Sequence, residues 1–190
     1  MRLFVVVSLA LVVSCSDLYV IPEDLYLIKG GAHESNLVNS PLSKIRTLKS
    51  NGLAFTARFD ESARYDLESN DQDDINKLMG FAEANSHHHD NSARIGWRYS
   101  VDKDQIEIFS YIYDGGDLIY QHLADVNINE TIAYQINLFE DEYEFVVNGI
   151  VFRQERNADH MTGVYYMLFP YFGGNSVAPH DISIYIKESF

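Results

Sequence analysis

Cysteine is nearly missing from this chain. One residue among 190 excludes any intramolecular disulfide. Basic residues are scarce too, with 14 Lys and Arg against 28 Asp and Glu, for a formal net charge of −14. A domain this acidic repels nucleic acid and anionic lipid headgroups, so no nucleic-acid partner is expected. Long apolar runs are absent except at the N-terminus, and no other segment nears the roughly 20 residues that a membrane-spanning helix needs. There is no internal repeat and no low-complexity tract. Cofactor signatures are missing as well: no Walker loop, no dinucleotide fingerprint behind a strand, no nucleophile elbow and no His-Glu-x-x-His. No Cys or His pair stands at zinc-finger spacing. No cofactor is expected.

The one apolar run is informative. Arg2 gives a short positive start, and Leu3 to Val13 is apolar apart from Ser8. That length suits the core of a signal peptide and is too short to cross a bilayer. Val12-Val13-Ser14-Cys15 follows, and it resembles the lipobox of bacterial lipoproteins. The resemblance implies that residues 1–14 are removed and that Cys15 is lipidated. A membrane partner through that lipid is therefore expected. Ser16 separates Asp17 from Cys15, which in the same resemblance favours the outer membrane of a bacterial cell envelope, in either leaflet.

Residues 15–50 read as the lipidated N-terminus and a linker, punctuated by Gly30-Gly31 and Asn39-Ser40-Pro41. Residues 51–190 read as one domain. Leu53 to Phe59 alternates, Asp60 to Asn76 reads as a polar loop, and strands are expected at Ala93–Tyr99 and Gln105–Tyr113. Asp114-Gly115-Gly116-Asp117 is a hairpin signal, followed by strands at Leu118–Val126, Ile132–Phe139, Tyr143–Val147, Ile150–Gln154, Gly163–Phe169 and Asp181–Lys187. Nine short strands, regular turn signals and no long helical pattern predict an all-β sandwich or barrel.

The strands also sort by face. Ile106, Ile108 and Ile112 oppose Glu107, Phe109, Tyr111 and Tyr113. Ile95, Trp97 and Tyr99 oppose Arg94, Gly96 and Arg98, and Ile182, Ile184 and Ile186 oppose Ser183, Tyr185 and Lys187. One apolar and one Tyr- and Arg-bearing face per strand predict two stacked antiparallel sheets with an outer face shaped for a polar ligand. Ordinary solvated cross-strand pairs are the plainer account of the same residues.

Three clusters carry candidate chemistry. Asn85-Ser86-His87-His88-His89-Asp90-Asn91-Ser92-Ala93-Arg94 holds three adjacent imidazoles. In an extended segment His87 and His89 share a side, where they suit a general base or a transition-metal pair, or simply bond to neighbouring backbone. Gly173 to Asp181 ends in His180 and Asp181 at the start of the last strand. Asp71, Asp73 and Asp74 match the oxygen preference of Ca2+, although the EF-hand pattern is absent and a solvated acidic loop accounts for them better.

Several segments together carry a resemblance. They are Phe55-x-Ala57-x-Phe59-Asp60-x-Ser62-Ala63-x-Tyr65, Asp74-Ile75-Asn76-Lys77-Leu78-x-Gly80-Phe81, the His87–Trp97 run and the Phe169–Ile184 run. They resemble a group of uncharacterised lipoproteins of glycan-degrading bacteria, with a concanavalin A-like lectin/glucanase domain. The resemblance implies a jelly roll and a carbohydrate partner. That fold hosts lectins, glycosidases and polysaccharide lyases, so it does not choose among them. The Glu-x-Asp-x-x-Glu strand of the retaining glucanases is missing here; Glu140-Asp141-Glu142-Tyr143-Glu144 does not match it.

Three functions remain open. The first is a non-catalytic glycan-binding module using Arg94, Arg98, Tyr111, Tyr113, His180 and Asp181. The second is a polysaccharide lyase, with Arg94 neutralising the sugar acid, His87 or His89 as base and Tyr111 as proton donor. The third is an assembly lipoprotein with a protein partner. For the site, the His87–Arg94 and Gly173–Asp181 clusters are expected to meet at one end or on one face of the sandwich.

Overall fold

The computed structural model describes residues 23–38, 46–48, 51–157 and 163–189. The leader at 1–14 and Cys15 lie outside the described residues. Twelve strands occur among those described: β1 (Asp24–Ile28), β2 (Ser35–Leu37), β3 (Gly52–Phe59), β4 (Asn76–Ala82), β5 (Ser92–Ser100), β6 (Gln105–Asp114), β7 (Asp117–Val126), β8 (Thr131–Leu138), β9 (Glu142–Val147), β10 (Ile150–Glu155), β11 (Tyr166–Leu168) and β12 (Ile182–Ser189). Two single-turn 3₁₀ segments, Glu61–Ala63 and Asn70–Asp73, are the only helical pieces among them.

The strands form two antiparallel sheets. One runs β10-β9-β8-β3-β12-β1-β2, and the other β11-β4-β5-β6-β7. The apolar faces of both sheets pack together. Ile106, Ile108 and Ile112 from the five-stranded sheet share one core with Ile182, Ile184, Phe55 and Phe59 from the seven-stranded sheet. Trp97 is fully buried there and packs on Phe59, with ring centroids 4.9 Å apart. Alternation writes this core directly: in β3 every second residue, from Leu53 to Phe59, points inward. The β6–β7 hairpin closes on Gly115 and Gly116, both at positive φ, as a two-residue mirror-type turn demands.

Two expectations need correction. The span from 15 to 50 is not simply a linker. Within it β1 pairs with both β12 and β2, and Tyr26 and Ile28 enter the core. Leu25-Tyr26-Leu27-Ile28 is apolar on both faces, so it carries no period-2 signal despite being a strand. Besides β1 and the short β2, β4 is also an unexpected strand. All seven of its residues are buried, because one side meets the core and the other lies beneath the site described next. A strand covered on both faces does not alternate.

Candidate functional site

The five-stranded sheet presents its second face away from the core. Strand register sets three rows across it. Lys77, Gly96, Phe109 and His122 form one row, and Gly80, Arg94, Tyr111 and Tyr120 the next. Ser92, Tyr113 and Leu118 form the third. Phe109, Tyr111 and Ile75 make a small buried cluster of their own, separate from the main core. The floor of this face is therefore aromatic and cationic, although it belongs to an acidic protein.

Gly80 explains how Arg94 lies there. A Cβ on Gly80 would sit 2.1 Å from the Ala93 carbonyl oxygen, 2.6 Å from the Arg94 Cα and 2.8 Å from its Cγ. Only the bare backbone of β4 lets the Arg94 stem cross it. The guanidinium then stands 5.8 Å from the Tyr111 ring centre and donates to the His88 carbonyl over 3.3 Å. Its Nε is buried with no hydrogen-bond partner. Lys77, from the neighbouring strand, places its ammonium 4.8 Å above the same Tyr111 ring and 5.8 Å from the Tyr171 ring. It donates to the Gly173 carbonyl at 3.0 Å.

The loop behind Lys77 is firmly held. Lys77 and Tyr171 exchange backbone hydrogen bonds of 2.8 and 2.9 Å. Asn76 accepts from the Gly173 N–H. Tyr171 stacks on His33 at 5.2 Å, and Phe172 is buried in the core.

The charge balance is the unusual feature. Lys77 is 9% exposed and Arg94 7%. Neither forms a salt bridge to a carboxylate among the described residues, whereas Arg98, Lys103 and Arg156 all do. Burial, and next the Arg94 charge, push the Lys77 ammonium down to about 8. Burial likewise lowers Arg94 from its ordinary value. For a buried cation without a paired carboxylate, carbonyl bonds and an aromatic ring offset the desolvation cost only in part.

The imidazole triplet forms one wall. The rings of His87, His88 and His89 touch in series, with centroids 4.3 Å apart from His87 to His88 and from His88 to His89. His89 meets Tyr113 edge-on at 5.1 Å, and Tyr113 meets Tyr111 at 5.9 Å. Burial, then the Arg94 charge, lower His88 to about 4 and also lower His89. His88 is therefore neutral at physiological pH. Burial raises the Tyr111 phenol above its usual range, which leaves it protonated.

The structure thus brings together His89, Arg94, Tyr111 and Tyr113 from the expected set, with His87 at the edge. It places the others elsewhere or gives them other work. Arg98 lies on the face, but its Nε meets Glu107 at 2.5 Å and its NH1 meets Asp73 at 3.3 Å, so two carboxylates already hold it. His180 and Asp181 take partners by β1 and the Glu61–Ala63 turn: His180 Nε2 bonds the Ser62 carbonyl, while Asp181 accepts from Lys29 and the Gly30 N–H. Of the Gly173–Asp181 cluster, only its first part reaches the site. Sequence reasoning gave no role to Lys77 or Gly80. A lone charged residue, Lys77, beside Asn76 and ahead of the apolar Leu78–Ala82 stretch was the available signal.

The three candidate ion ligands are held apart. Asp71 accepts from the Ser176 hydroxyl, Asp73 meets Arg98 and Asp74 accepts from the Asn175 N–H, so the three carboxylates serve separate partners. Among the described residues the only three-ligand group is Glu107, His122 and Asp125. Glu107 is bonded by Arg98 and Lys103, and Asp125 by Lys103 and His122. Those carboxylates are neutralised by side chains, and an imidazole in the set does not suit Ca2+.

No family model and no curated protein matches the chain by sequence. Solved structures match by shape. The alginate lyase AlyC3 superposes with a TM-score of 0.58 at 11% identity, covering 88% of this chain and 74% of that one. A structure described with the endo-acting O-glycanases by which human gut microbiota initiate mucin breakdown gives 0.51 at 11%, covering 86% and 89%. A family 16 glycoside hydrolase of a Bacteroides ovatus mixed-linkage glucan locus, bound to its product, gives 0.50 at 9%, covering 87% and 80%. With the two-sheet topology above, these likenesses define the fold class: a concanavalin A-like jelly-roll sandwich. Its structural neighbours are glycan-active proteins.

Proposed function

We propose that this protein binds an acidic glycan on the outer face of its five-stranded sheet. The observation that supports it is the pair of buried cations, Lys77 and Arg94, over one tyrosine ring, neither in a salt bridge to a carboxylate among the described residues. An anion from outside supplies the missing charge. Arg94 supplies a planar guanidinium charge, and the Lys77 ammonium adds a point charge. Tyr113 and Tyr171, both partly exposed, flank the pair and offer ring faces to sugar carbons. Consistent with this chemistry, one neighbour in fold is an alginate lyase in complex with dimannuronate, an acidic disaccharide. The test is calorimetric titration with acidic and neutral oligosaccharides. Uronate or sulfate ligands bind, neutral ones do not, and Arg94→Gln and Lys77→Gln each weaken binding strongly. Equal binding of neutral glycans would sink the proposal.

His89 supports a second reading, as a polysaccharide lyase. Its lowered proton affinity favours a neutral ring, in ring contact with Tyr113, which in turn meets Tyr111. In that reading Lys77 and Arg94 neutralise a uronate carboxylate and so acidify the adjacent carbon. His89 takes that carbon's proton, and the electron pair becomes a carbon–carbon double bond as the glycosidic carbon–oxygen bond breaks. The Tyr111 phenol gives a proton to the departing oxygen. Turnover produces unsaturated ends that absorb in the ultraviolet, and His89→Ala stops it. A protein that binds acidic glycans without that absorbance at any pH is a binder only.

The address belongs to the same proposal. Val12-Val13-Ser14-Cys15 supports lipidation at Cys15 and attachment of the domain to the bacterial envelope, at the outer membrane. Mass spectrometry of the membrane-bound protein then finds acylated Cys15 as the first residue. An unmodified Cys15 in that fraction rejects it.

A further inference from the structure

Two observations extend the acidic-glycan reading, and the inference rests on it. The first is the row Gly80, Arg94, Tyr111, Tyr120, which crosses four adjacent strands in register. Three strand spacings separate its ends, roughly 14 Å, more than one sugar ring spans. Its far end is open: Tyr120 is 58% exposed and Leu118 beside it 43%, both on the edge strand β7. Tyr120 is not loose there, because it meets the buried Phe109 edge-on at 6.4 Å. A large ring, supported from one side and bare on the other, is a stacking surface.

The second observation is that charge is confined to the opposite end. Lys77 and Arg94 both address the Tyr111 ring, at 4.8 and 5.8 Å, so they serve one anion between them. The remaining cations near the face are spoken for. Arg98 is held by Glu107 and Asp73, and Lys103 by Glu107 and Asp125. On β7 the row presents Tyr120 between Leu118 and His122, and His122 is itself bonded to Asp125. A second anionic sugar on that side meets carboxylates and, among the described residues, no free cation.

We infer that the face reads a single acidic sugar at the Lys77–Arg94 end and stacks a neighbouring sugar, which need not be charged, on Tyr120. The ligand class is thus an acidic heteroglycan at least three residues long, lying across the strands. Its uronate or sulfated residue sits over β4 and β5, and its uncharged residues extend toward β7. Tyr120 sets the preference for length, and the cation pair sets the requirement for charge.

Calorimetry with three probes tests this: free glucuronate, a trisaccharide of one terminal uronate and two neutral sugars, and trimannuronate. The two trisaccharides bind within about threefold of each other, because added charges lack partners, and both bind more tightly than glucuronate. Tyr120→Ala weakens the trisaccharides roughly tenfold, the upper range for one ring contact, and leaves glucuronate unchanged. Because Tyr120 is exposed, the variant keeps its fold, which circular dichroism checks. Equal affinity for glucuronate and both trisaccharides overturns the inference. So does a Tyr120→Ala variant that binds like wild type, or trimannuronate binding far above the singly charged probe. In each of those outcomes the acidic-glycan reading survives. Failure of wild type to bind any of the three overturns that reading and the inference together.

Discussion

Arg94 and Arg156 are both buried arginines, and they differ in what faces them. Arg156 follows β10 and reaches Glu83, just past the end of β4, through Nε at 3.0 Å to both carboxylate oxygens and NH2 at 2.7 Å. Its NH1 donates to the Glu140 carbonyl at 2.7 Å. Burial opposes the Arg156 charge, but the Glu83 hydrogen bonds and charge outweigh it and raise its proton affinity. The result is a satisfied clamp between the two sheets. Arg94 sits equally deep, over Tyr111, with one carbonyl partner and a bare Nε. Within one fold, then, one buried guanidinium is complete and the other is left for something to complete. A closed ion pair belongs to stability; an open cation belongs to binding.

The largest effect should come from breaking the closed pair. Glu83→Ala leaves Arg156 buried without its counter-ion, which costs about 3–5 kcal/mol. Chemical denaturation reads it as a large fall in midpoint, and a loss under 1 kcal/mol would refute the clamp. Arg94→Met is the matched experiment on the open site. It removes a buried charge that no carboxylate compensates, so stability holds or rises. Acidic-glycan affinity falls by about 2 kcal/mol, roughly thirtyfold. If Arg94→Met destabilises as Glu83→Ala does, the contrast between the two arginines is wrong.

A third test uses pH. The folded Lys77 has a value of about 8 against 10.5 for the free side chain. Between those values the unfolded chain holds the proton more often than the folded one. The Lys77 contribution to stability therefore rises as pH climbs from about 8 toward 10.5. Anion binding runs the other way, weakening above about pH 8 as the ammonium is lost. The charges facing Lys77 are Arg94 and Asp74, and Tyr111 stays protonated throughout that range. Lys77→Arg should abolish the fall in affinity, since an arginine keeps its charge. The smallest effect is expected at Asp181. Asp181→Asn breaks an exposed contact with Lys29 and should leave glycan binding at the wild-type level in the same titration.

Much of this was written into local pattern. The isoleucine faces of β6 and β12 predicted the two-sheet core, and Arg94, Tyr111 and Tyr113 fell on the outward face by parity alone. Elements without alternation escaped. The Asp24–Ile28 strand is apolar on both sides, and β4 is covered on both. Lys77 escaped with β4, because nothing local says that its ammonium emerges between Tyr111 and Tyr171 rather than in water.

The pairing of clusters lay beyond any local rule. His180 and Asp181 looked as polar and as isolated as His89, yet their bonds run to Ser62, Lys29 and Gly30. Which polar residue meets which is set by strand order, and strand order depends on contacts between segments far apart in the chain, such as Lys77 with Gly173, 96 residues on, or Gly80 with Leu168. The sequence by itself determined the all-β class, the facing of each alternating strand and the acidic character of the chain, because period-2 burial and net charge are properties of the chain read in order. The tertiary structure alone decided that Arg156 would find a carboxylate and Arg94 would not, because the presence of a counter-ion depends on what the opposite strand and loop bring within about 3 Å.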